Sequence, residues 1–359
     1  MHIEEKDKLI FIVNTTAGGG AGKIVRFAAE ACSDENDVTV IELYEEGKDI
    51  DIDGYHLVRL GCVKRNFAWR INLIQRLRRC IRLHSPRIVC AFISDIAVIS
   101  RIATLGLRLT FISAERGDPY TQSTKWDRLV KWAYNTSDYC IFQLEKARDY
   151  YGSKVVAKSF VINNPCIPPD NVVPYFGERK KTVVSVGRFA PEKGYDILIK
   201  AFSNVVKKHP DYKLILYGDG PCKNDLLGLV ENLCLKAFVS FPGYISNSET
   251  VIRCEGIFVL PSRFEGIPNA LIEALSIGIP TISTNCTPGG PDLLTDHGKR
   301  GMLVPVGDVK SLENAIDVLI ENPELRKEYS LRGPEILSVF SKDVISERWR
   351  DAFAAIKER

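Results

Sequence analysis

Four charged residues in the second half of the chain have types and spacings that could serve a charged ligand. Glu265 and Glu273 are eight positions apart, a little over two turns of a helix, so both side chains can point toward one crevice. Arg188 and Lys193 flank a predicted strand-to-helix turn, a placement that suits clamping a diphosphate. Taken singly, each of the four is better explained as an ordinary solvated charge on a strand–helix–strand unit.

A glycine-rich segment follows the first predicted strand, residues 9–13. Residues 14–23 read NTTAGGGAGK, and a helical pattern begins after them. Backbone N–H groups in such a segment can approach a phosphate with the support of the helix dipole, which makes three glycines phosphate-binding candidates: Gly18, Gly19 and Gly20. Ala17 and Ile24 break the P-loop pattern, and Lys23 breaks the G-x-G-x-x-G pattern. The alternative is a flexible turn that packs a helix on a strand.

A polar sequence, SAERGDPY at residues 113–120, follows another predicted strand at residues 107–112. Open α/β sheets bind their ligands at the C-terminal ends of strands. This position makes three charged residues site candidates: Glu115, Arg116 and Asp118. The alternative is that they only decorate a surface loop.

Residues 62–91 carry eight basic side chains and no acidic one. Hydrophobic residues recur there at helical spacing, at Phe67, Ile71, Ile74, Leu77 and Ile81. The segment therefore predicts a basic amphipathic helix, which can lie on an anionic membrane surface or bind an anionic acceptor. The alternative is a helix that faces the core and has a solvated basic back.

The overall composition is that of a soluble globular protein. The chain has 359 residues, of which 45% are hydrophobic and 26% charged, and a formal net charge of +3. This length suits two domains, and the charge is too small to imply nucleic-acid binding. We expect neither a signal peptide nor a membrane span, and a cytoplasmic protein that is at most peripheral at the inner face of the membrane. The ten cysteines include no C-x-x-C pair and are expected to be reduced thiols.

Strand–helix alternation runs through the chain and restarts after a proline-rich run, NNPCIPP, at residues 163–169. We therefore predict an α/β protein with two Rossmann-like doubly wound domains that face a central cleft. The N-terminal domain is expected at residues 1–165, a linker at 166–180 and the C-terminal domain at 181–341. A last helix, at about residues 342–359, is expected to pack back on the first domain.

Three motifs in the second half resemble those of the family 4 glycosyltransferases, retaining enzymes of the GT-B fold. They are VGRFAPEKGYDILIKAF at residues 186–202, LYGDGP at 216–221 and LPSRFEGIPNALIEALSIGIPTIST at 260–284. The third contains the E-x7-E element of the family as Glu265 and Glu273. The first half resembles the family only in its glycine loop and its general alternation, as expected of a domain that varies with the acceptor.

The resemblance implies a donor site for a nucleotide sugar, with a UDP-sugar as the expected donor. Arg188 and Lys193 would neutralise the diphosphate, Glu273 would accept the ribose hydroxyls, and Glu265 would hold the sugar. Tyr244 and Ile245 would read the base. The full set of donor-binding residues adds Gly18, Gly19, Gly20, Gly218, Phe264, Gly266, Ile267 and Asn269. No metal or other cofactor is expected, because the cations and the helix N-termini can stabilise the leaving diphosphate.

One departure from the family lies in the loop after residues 107–112, where many members carry a histidine. No histidine occurs in SAERGDPY. Glu115 or Arg116 is therefore expected to take over its contact, with Asp118 beside them on the acceptor side. Glu115 is accordingly counted as a catalytic candidate together with Glu265, Arg188 and Lys193.

The sequence thus predicts a retaining hexosyl- or N-acetylhexosaminyl-transferase that acts on a glycan or polyprenyl-linked acceptor in surface polysaccharide assembly. Two alternatives keep the same donor site. A GT-B-type sugar-nucleotide epimerase would turn over its donor without an acceptor. A non-catalytic sugar-nucleotide-binding subunit would bind the donor without any transfer.

Overall fold

The protein divides into two compact units, Met1–Pro165 together with Lys342–Arg359, and Cys166–Ser341. In this computed structural model the described residues are 6–17, 19–44, 49–62, 69–121, 124–169 and 172–358. Each unit is an α/β domain built on one sheet, and all but one of the strand pairs are parallel. The predicted α/β fold with two parallel-sheet domains is therefore confirmed.

The N-terminal sheet has eight strands in the order β3-β4-β2-β1-β5-β6-β7-β8. Their bounds are β1 (Asp7–Val13), β2 (Asn36–Glu42), β3 (Ile50–Ile52), β4 (Tyr55–Arg59), β5 (Ile88–Phe92), β6 (Thr110–Glu115), β7 (Tyr139–Phe142) and β8 (Ser159–Val161). Only β3 runs antiparallel to its neighbour. The five residues of β5 are all buried, as expected of a parallel strand covered by helices on both faces.

The C-terminal sheet has six parallel strands in the order β11-β10-β9-β12-β13-β14. Their bounds are β9 (Thr182–Val186), β10 (Lys213–Tyr217), β11 (Val239–Gly243), β12 (Ile257–Leu260), β13 (Thr281–Thr284) and β14 (Met302–Val304). The chain order reverses between β9 and β12, which are neighbours. Such a reversal opens a crevice at the carboxyl ends of the strands, where doubly wound sheets bind ligands.

Fifteen helices surround the sheets within the described ranges. In the N-terminal part they are α1 (Gly19–Cys32), α2 (Trp69–His84), α3 (Ser94–Thr104), α4 (Thr124–Thr136), α5 (Glu145–Asp149) and α6 (Ser153–Val156). The C-terminal part adds α7 (Tyr195–Lys208), α8 (Lys223–Asn232), α9 (Ser248–Ile252), α10 (Asn269–Ser276), α11 (Gly290–Leu294), α12 (Val309–Glu321), α13 (Pro323–Arg332), α14 (Ile336–Phe340) and α15 (Lys342–Lys357). Over these described ranges, each helix is either too short or too polar to cross a bilayer.

The last helix, α15, packs on the first sheet through aromatic side chains. The Trp349 ring is fully buried and lies 6.2 Å from Phe11 and 5.9 Å from Phe92, measured between ring centroids. Phe353 lies 5.8 Å from Phe11 in the same way. Burial of these four aromatic rings holds the helix on the sheet.

Two boundaries near candidate residues differ from those expected. Helix α1 begins at Gly19, so the loop before it is shorter than residues 14–23; a Cβ on Gly22 would lie 2.9 Å from the Thr15 carbonyl oxygen, which explains glycine inside this helix. Strand β6 covers Thr110–Glu115 and not residues 107–112, because Thr110 pairs with Ile88 at the start of β5. Glu115 therefore ends a strand and does not lie in a loop.

Candidate active site

Two loops at the carboxyl ends of β9 and β12 bring the predicted donor residues together. The loop after β9 contains Arg188 and ends in a short 3-10 helix, Pro191–Lys193, before α7. The loop after β12 contains Glu265 and leads into α10. Since β9 and β12 pair directly, both loops lie at the reversal point of the sheet, where a ligand crevice is expected.

The centre of the site is an ion pair between Lys193 and Glu265. The Lys193 Nζ atom lies 2.5 Å from Glu265 Oε1, and the Ser262 hydroxyl donates to the same oxygen at 2.7 Å. The Lys193 and Glu265 side chains are 25% and 12% exposed, so the pair is partly shielded but still reachable from solvent. A charge pair in this setting interacts more strongly than one on an open surface.

Glycine at position 194 is needed to bring the two loops this close. Its φ angle is +65°, in the left-handed region, and a Cβ there would lie 2.1 Å from the Pro261 carbonyl oxygen. Any side chain would therefore both strain the backbone and push the β9 loop away from the β12 loop. The glycine that follows Lys193 in the first motif is therefore explained by the close approach of the two loops.

Arg263 fastens the same two loops together, and sequence reasoning did not select it. Its backbone N–H donates to the Glu192 carbonyl at 2.7 Å. Its guanidinium donates to the Pro191 carbonyl at 2.5 Å and to both carboxylate oxygens of Asp196 at 2.9 Å. The only sequence signal for this role is a basic residue two positions before Glu265, which does not reveal its partners.

Arg188 is held in a different way from Lys193. Its Nη2 atom lies 2.6 Å from Glu192 Oε1, one helical turn away in sequence, and its side chain is 69% exposed. An exposed pair of this kind is weak, so the guanidinium can exchange Glu192 for another anion at little cost. Arg188 and Lys193 therefore place two cations on one loop, as the sequence predicts.

Glu265 and Glu273 do not share a helix, which corrects the argument from their spacing. Helix α10 begins at Asn269, and the backbone N–H of Glu265 donates to the Thr287 carbonyl at 3.1 Å. Glu273 lies within α10 and accepts a hydrogen bond from the Ser248 hydroxyl of α9. The two carboxylates thus have separate partners at the same edge of the sheet.

The remaining donor candidates of this domain lie at the same carboxyl edge. Gly218 follows β10 and donates its N–H to the Gly243 carbonyl at 2.8 Å, and Tyr244 follows β11 with 78% of its side chain exposed. Ile245 is half-buried. The four candidates in the entry to α10 are Phe264, Gly266, Ile267 and Asn269, of which only Ile267 is buried. A Cβ at Gly290, which begins α11, would lie 1.8 Å from the Gly266 carbonyl oxygen, so α11 closely approaches this entry.

Of the glycine loop, Gly18 lies outside the described residues. Gly19 and Gly20 form the first turn of α1. The segment before them is anchored by Glu42 at the end of β2, which accepts the N–H of Thr16 on one oxygen and the Arg59 Nε–H at 3.0 Å on the other. The anchor places the N-terminus of α1 at the carboxyl edge of the first sheet, and phosphate binding there stays a prediction.

The expectation that Glu115 meets an acceptor from a loop is wrong, because this residue is 1% exposed. Its Oε1 accepts the N–H groups of Arg116 and Gly117, both at 2.9 Å. Its Oε2 accepts three hydroxyl groups, from Ser94 at 2.6 Å, Tyr151 at 3.0 Å and Tyr134 at 3.2 Å. Because five donors surround this one buried carboxylate, Glu115 has a structural role and holds β6 to its neighbouring elements.

Arg116 and Asp118 also have internal partners, which corrects their assignment to an open acceptor loop. The Arg116 guanidinium lies over the rings of Phe92 and Trp349 and donates to the Ile162 carbonyl at 2.8 Å. Burial lowers the pKa of Arg116 to about 10. Asp118 is 8% exposed and accepts the N–H of Tyr120 at 2.9 Å, as in an Asx turn.

The basic helix exists as α2, although its buried face differs from the one expected. Leu73, Leu77, Cys80 and Ile81 are buried, whereas Ile71 is 60% exposed. Arg78 donates to the carbonyls of Ala103 and Leu105, both at 2.8 Å. The outer face carries exposed arginines and one exposed leucine: Arg76, Arg79, Arg82 and Leu83. Phe67 lies outside the described residues.

Comparison with known proteins finds a family match over most of the second unit. Residues 172–335 match the family described as "Glycosyl transferases group 1". An uncharacterized glycosyltransferase of Haemophilus influenzae is 25% identical over an alignment of 354 positions, which covers 95% of this chain and 98% of the relative. A second relative, 24% identical over 98% of this chain and 99% of its own length, is the Campylobacter jejuni GalNAc-alpha-(1->4)-GalNAc-alpha-(1->3)-diNAcBac-PP-undecaprenol alpha-1,4-N-acetyl-D-galactosaminyltransferase.

Solved structures share the fold of the whole chain. Sucrose-phosphate synthase from Thermosynechococcus elongatus superposes with a TM-score of 0.86 at 17% identity and covers 98% of this chain and 100% of its own. Anabaena Alr3699/HepE in complex with UDP-glucose superposes with a TM-score of 0.81 at 17% identity, covering 97% of this chain and 99% of its own. At these identities the superpositions establish the fold alone.

Proposed function

We propose that the chain is a glycosyltransferase of the group 1 family and that it transfers a sugar from a UDP-sugar to a glycan or lipid-linked acceptor with retention of anomeric configuration. The observation that carries the proposal is the Lys193–Glu265 pair at the reversal point of the second sheet. A cation for the leaving group and a carboxylate for the sugar stand side by side there. A cation and a carboxylate placed in this way suit cleavage of a sugar–diphosphate bond.

In the proposed donor complex, the diphosphate takes the place of the carboxylate partners of Arg188 and Lys193. Bond cleavage leaves the diphosphate with growing negative charge, and two preorganised cations stabilise that charge in the transition state. Glu265, released from sharing its oxygen with Lys193, accepts hydrogen bonds from sugar hydroxyls. Glu273 does the same for the ribose.

A UDP-sugar is proposed as the donor because relatives in fold bind one. The Anabaena protein is solved with UDP, with UDP and glucose, and with UDP-glucose. A thermal-shift comparison of UDP-, GDP-, ADP- and dTDP-sugars at equal concentration tests this directly, because a ligand that binds more tightly raises the apparent stability by a larger amount. A larger stabilisation by GDP, ADP or dTDP compounds than by UDP compounds would overturn the choice of nucleotide.

Retention follows from the same geometry if the acceptor attacks on the face that the diphosphate leaves. No enzyme nucleophile is then required, since the departing phosphate oxygen can accept the proton of the acceptor hydroxyl. We further propose that no metal ion takes part, because Arg188 and Lys193 supply the neutralising charge. Proton NMR of the first product formed tests retention, and an inverted anomer would contradict it. Loss of transfer in excess EDTA would contradict metal independence.

The acceptor class is proposed from the relatives. The Campylobacter jejuni relative acts on a glycan linked to diphospho-undecaprenol. A Rhizobium meliloti protein, 30% identical over 174 residues, is named lipopolysaccharide core biosynthesis glycosyltransferase LpsE. Transfer of radiolabelled sugar into a lipid-extractable product tests a polyprenyl-linked acceptor. Donor conversion without any acceptor would favour an epimerase, and nucleotide binding without turnover under all conditions would favour a binding subunit.

A peripheral membrane position is proposed from the outer face of α2. Arg76, Arg79 and Arg82 are exposed on this helix, and Leu83 is 76% exposed beside them. Cationic side chains attract an anionic lipid surface, and an exposed leucine can enter the interface. Co-sedimentation with phosphatidylglycerol vesicles that weakens with salt is expected. Equal sedimentation of wild type and a triple Arg→Gln variant at these positions would overturn the proposal.

A further inference from the structure

We propose that the N-terminal domain carries an aromatic subsite for a pyranose ring of the acceptor, built from Tyr44, Trp69, Arg70, Asp95 and Trp126. The inference rests on the proposed function, because it names the chemistry of the acceptor that receives the sugar. None of the residues predicted on the acceptor side from sequence contributes to it, since Glu115 and Arg116 are internal.

All parts of the subsite lie at the carboxyl edge of the first sheet. Tyr44 comes two residues after the end of β2, and Asp95 lies in the first turn of α3, directly after β5. Trp69 begins α2, and Trp126 lies in the first turn of α4, which follows β6. Loops and helix N-termini at this edge form the ligand crevice of a doubly wound sheet. The aromatic rings therefore occupy the position expected of a binding site.

Direct contacts join the rings into one cluster. The Arg70 guanidinium lies 5.4 Å from the centroid of the Trp69 ring and 5.6 Å from that of the Trp126 ring, so it bridges the two indoles. The Trp126 Nε1–H donates to Asp95 Oδ1, which fixes the plane of that ring. The Tyr44 and Trp69 ring centroids are 6.3 Å apart. Burial, and then the nearby charge of Asp95, raises the pKa of Tyr44.

The exposure of the cluster differs from that of a hydrophobic core. Trp69, Trp126 and Tyr44 are half-buried, and Arg70 and Asp95 are exposed. Large aromatic rings that stay partly open beside fixed charges are typical of binding sites, where a few polar groups orient a ligand against an apolar wall. The fully buried Trp349 in the same domain shows the alternative, in which the indole is packed on all sides.

A sugar ring matches this surface better than an anion does. One face of a pyranose presents C–H groups that can pack on an aromatic ring, and its edge presents hydroxyls. The Asp95 carboxylate can accept from those hydroxyls and the Arg70 guanidinium can donate to them. A phosphate would be repelled by Asp95 at short range. The favoured ligand is therefore a neutral saccharide unit.

The chain has four tryptophans, at positions 69, 126, 132 and 349, which allow a sharp test by fluorescence. The probes are GalNAc-α-(1→4)-GalNAc, N,N′-diacetylchitobiose, lactose and maltose at millimolar concentrations. We expect saturable quenching by at least one probe, with saturation transfer to its ring protons in NMR. Trp126→Ala and Trp69→Ala are expected to weaken that binding about tenfold each, as the loss of one stacked ring predicts.

Two further variants separate the role of the cluster from general damage. Asp95→Asn keeps the size of the side chain and is expected to weaken binding severalfold by removing the charged acceptor. Trp132→Phe, on the same helix α4 as Trp126, is the matched control and is expected to leave binding unchanged. Circular dichroism and the midpoint of thermal unfolding identify any variant that fails to fold.

Three results would overturn the subsite. The first is that none of the four saccharides binds saturably. The second is that Trp69→Ala and Trp126→Ala both leave saccharide binding unchanged. The third is that these two variants lose sedimentation with vesicles but keep saccharide binding. Trp126→Ala should keep the thermal shift that UDP produces in the wild type, because the proposed donor site lies in the other unit, and this measurement separates the two proposals. A wild-type protein that binds saccharide at Trp126 but gives no UDP shift retains the subsite and refutes the proposed donor.

Discussion

The carboxyl edges of the two sheets use the same residue types in opposite ways. In the C-terminal domain, Lys193 and Glu265 pair across two loops and keep 25% and 12% of their side chains exposed. In the N-terminal domain, Glu115 is 1% exposed and its two oxygens accept five hydrogen bonds, from backbone N–H groups and hydroxyls of the same domain. Arg116 beside it lies over two buried rings.

The difference shows what separates a structural carboxylate from one that is suited to a substrate. A carboxylate whose donors are backbone N–H groups and buried hydroxyls cannot change partner without breaking the fold. One whose principal donor is a flexible lysine can release it when an anion arrives for the lysine. Strand-end position and residue type are shared by both groups, so only the surrounding donors distinguish them.

The largest expected effect concerns the exchangeable pair. Lys193→Ala and Glu265→Ala should each reduce the transfer rate by about 10²-fold or more, the loss typical of removing one positioned electrostatic group. Lys207→Ala, which changes an exposed lysine on α7, is the matched control and should retain full activity. Steady-state assays with a UDP-sugar measure both. Near-wild-type turnover of either site variant would remove the pair from the mechanism.

The structural carboxylate should show the reverse pattern. Glu115→Ala leaves buried N–H and O–H donors without an acceptor and should lower the free energy of unfolding by about 3 kcal/mol. The transfer rate per folded molecule should stay within about threefold, because the residue is 1% exposed. Urea denaturation and activity at matched folded fractions provide the measurement. A large activity loss at unchanged stability would make Glu115 catalytic after all and erase the contrast.

A smaller effect is expected from Arg263, which joins the loops after β9 and β12. Arg263→Ala removes the donors to Pro191 and Asp196, and we expect about a tenfold lower kcat with little change in UDP affinity, since the loops lose their mutual position. Arg263→Lys should rescue it only in part, because a lysine has a single nitrogen and cannot place separate donors on the Pro191 carbonyl and the Asp196 carboxylate. Arg253→Ala, which removes one hydrogen bond to the Val173 carbonyl and one contact over the Tyr175 ring away from these loops, serves as the control. Equal losses in kcat and in UDP affinity would indicate direct ligand contact.

The smallest effect lies outside the site and is pH-dependent. Hydrogen bonds from Lys310 and then Lys208 lower the pKa of Glu313 from 4.5 to about 2. The resulting stabilisation is therefore present above pH 4.5 and is lost as the pH falls toward 2. Because both lysines are about half to two-thirds exposed, Glu313→Gln should cost about 1 kcal/mol at neutral pH. The free energies of unfolding of the two proteins should converge as the pH falls to about 2, and a constant difference would refute the assignment.

Much of the fold was accessible from the hydrophobic pattern. The runs at residues 139–142, 213–217 and 257–260 coincide with β7, β10 and β12, because buried parallel strands are continuously apolar and end at turn residues. The shift of β6 and the short strands β3 and β8 were not accessible in this way. Their extent depends on pairing with β5, β4 and β7, which local periodicity does not encode.

The same distinction between local pattern and tertiary pairing applies to the candidate site. The sequence by itself determined the two-domain α/β plan, the resemblance of residues 172–335 to the group 1 glycosyltransferases and the residue types at the carboxyl edge of the second sheet, because the three motifs occur in continuous stretches of chain. Only the tertiary structure decided which side chains these residues contact. Lys193 meets Glu265 across 72 positions, Arg263 closes on Asp196, Glu115 lies inside, and Trp69 meets Trp126 through Arg70. Each of these contacts joins chain segments that follow different strands at the carboxyl edge of one sheet, and strand order is a property of the folded sheet.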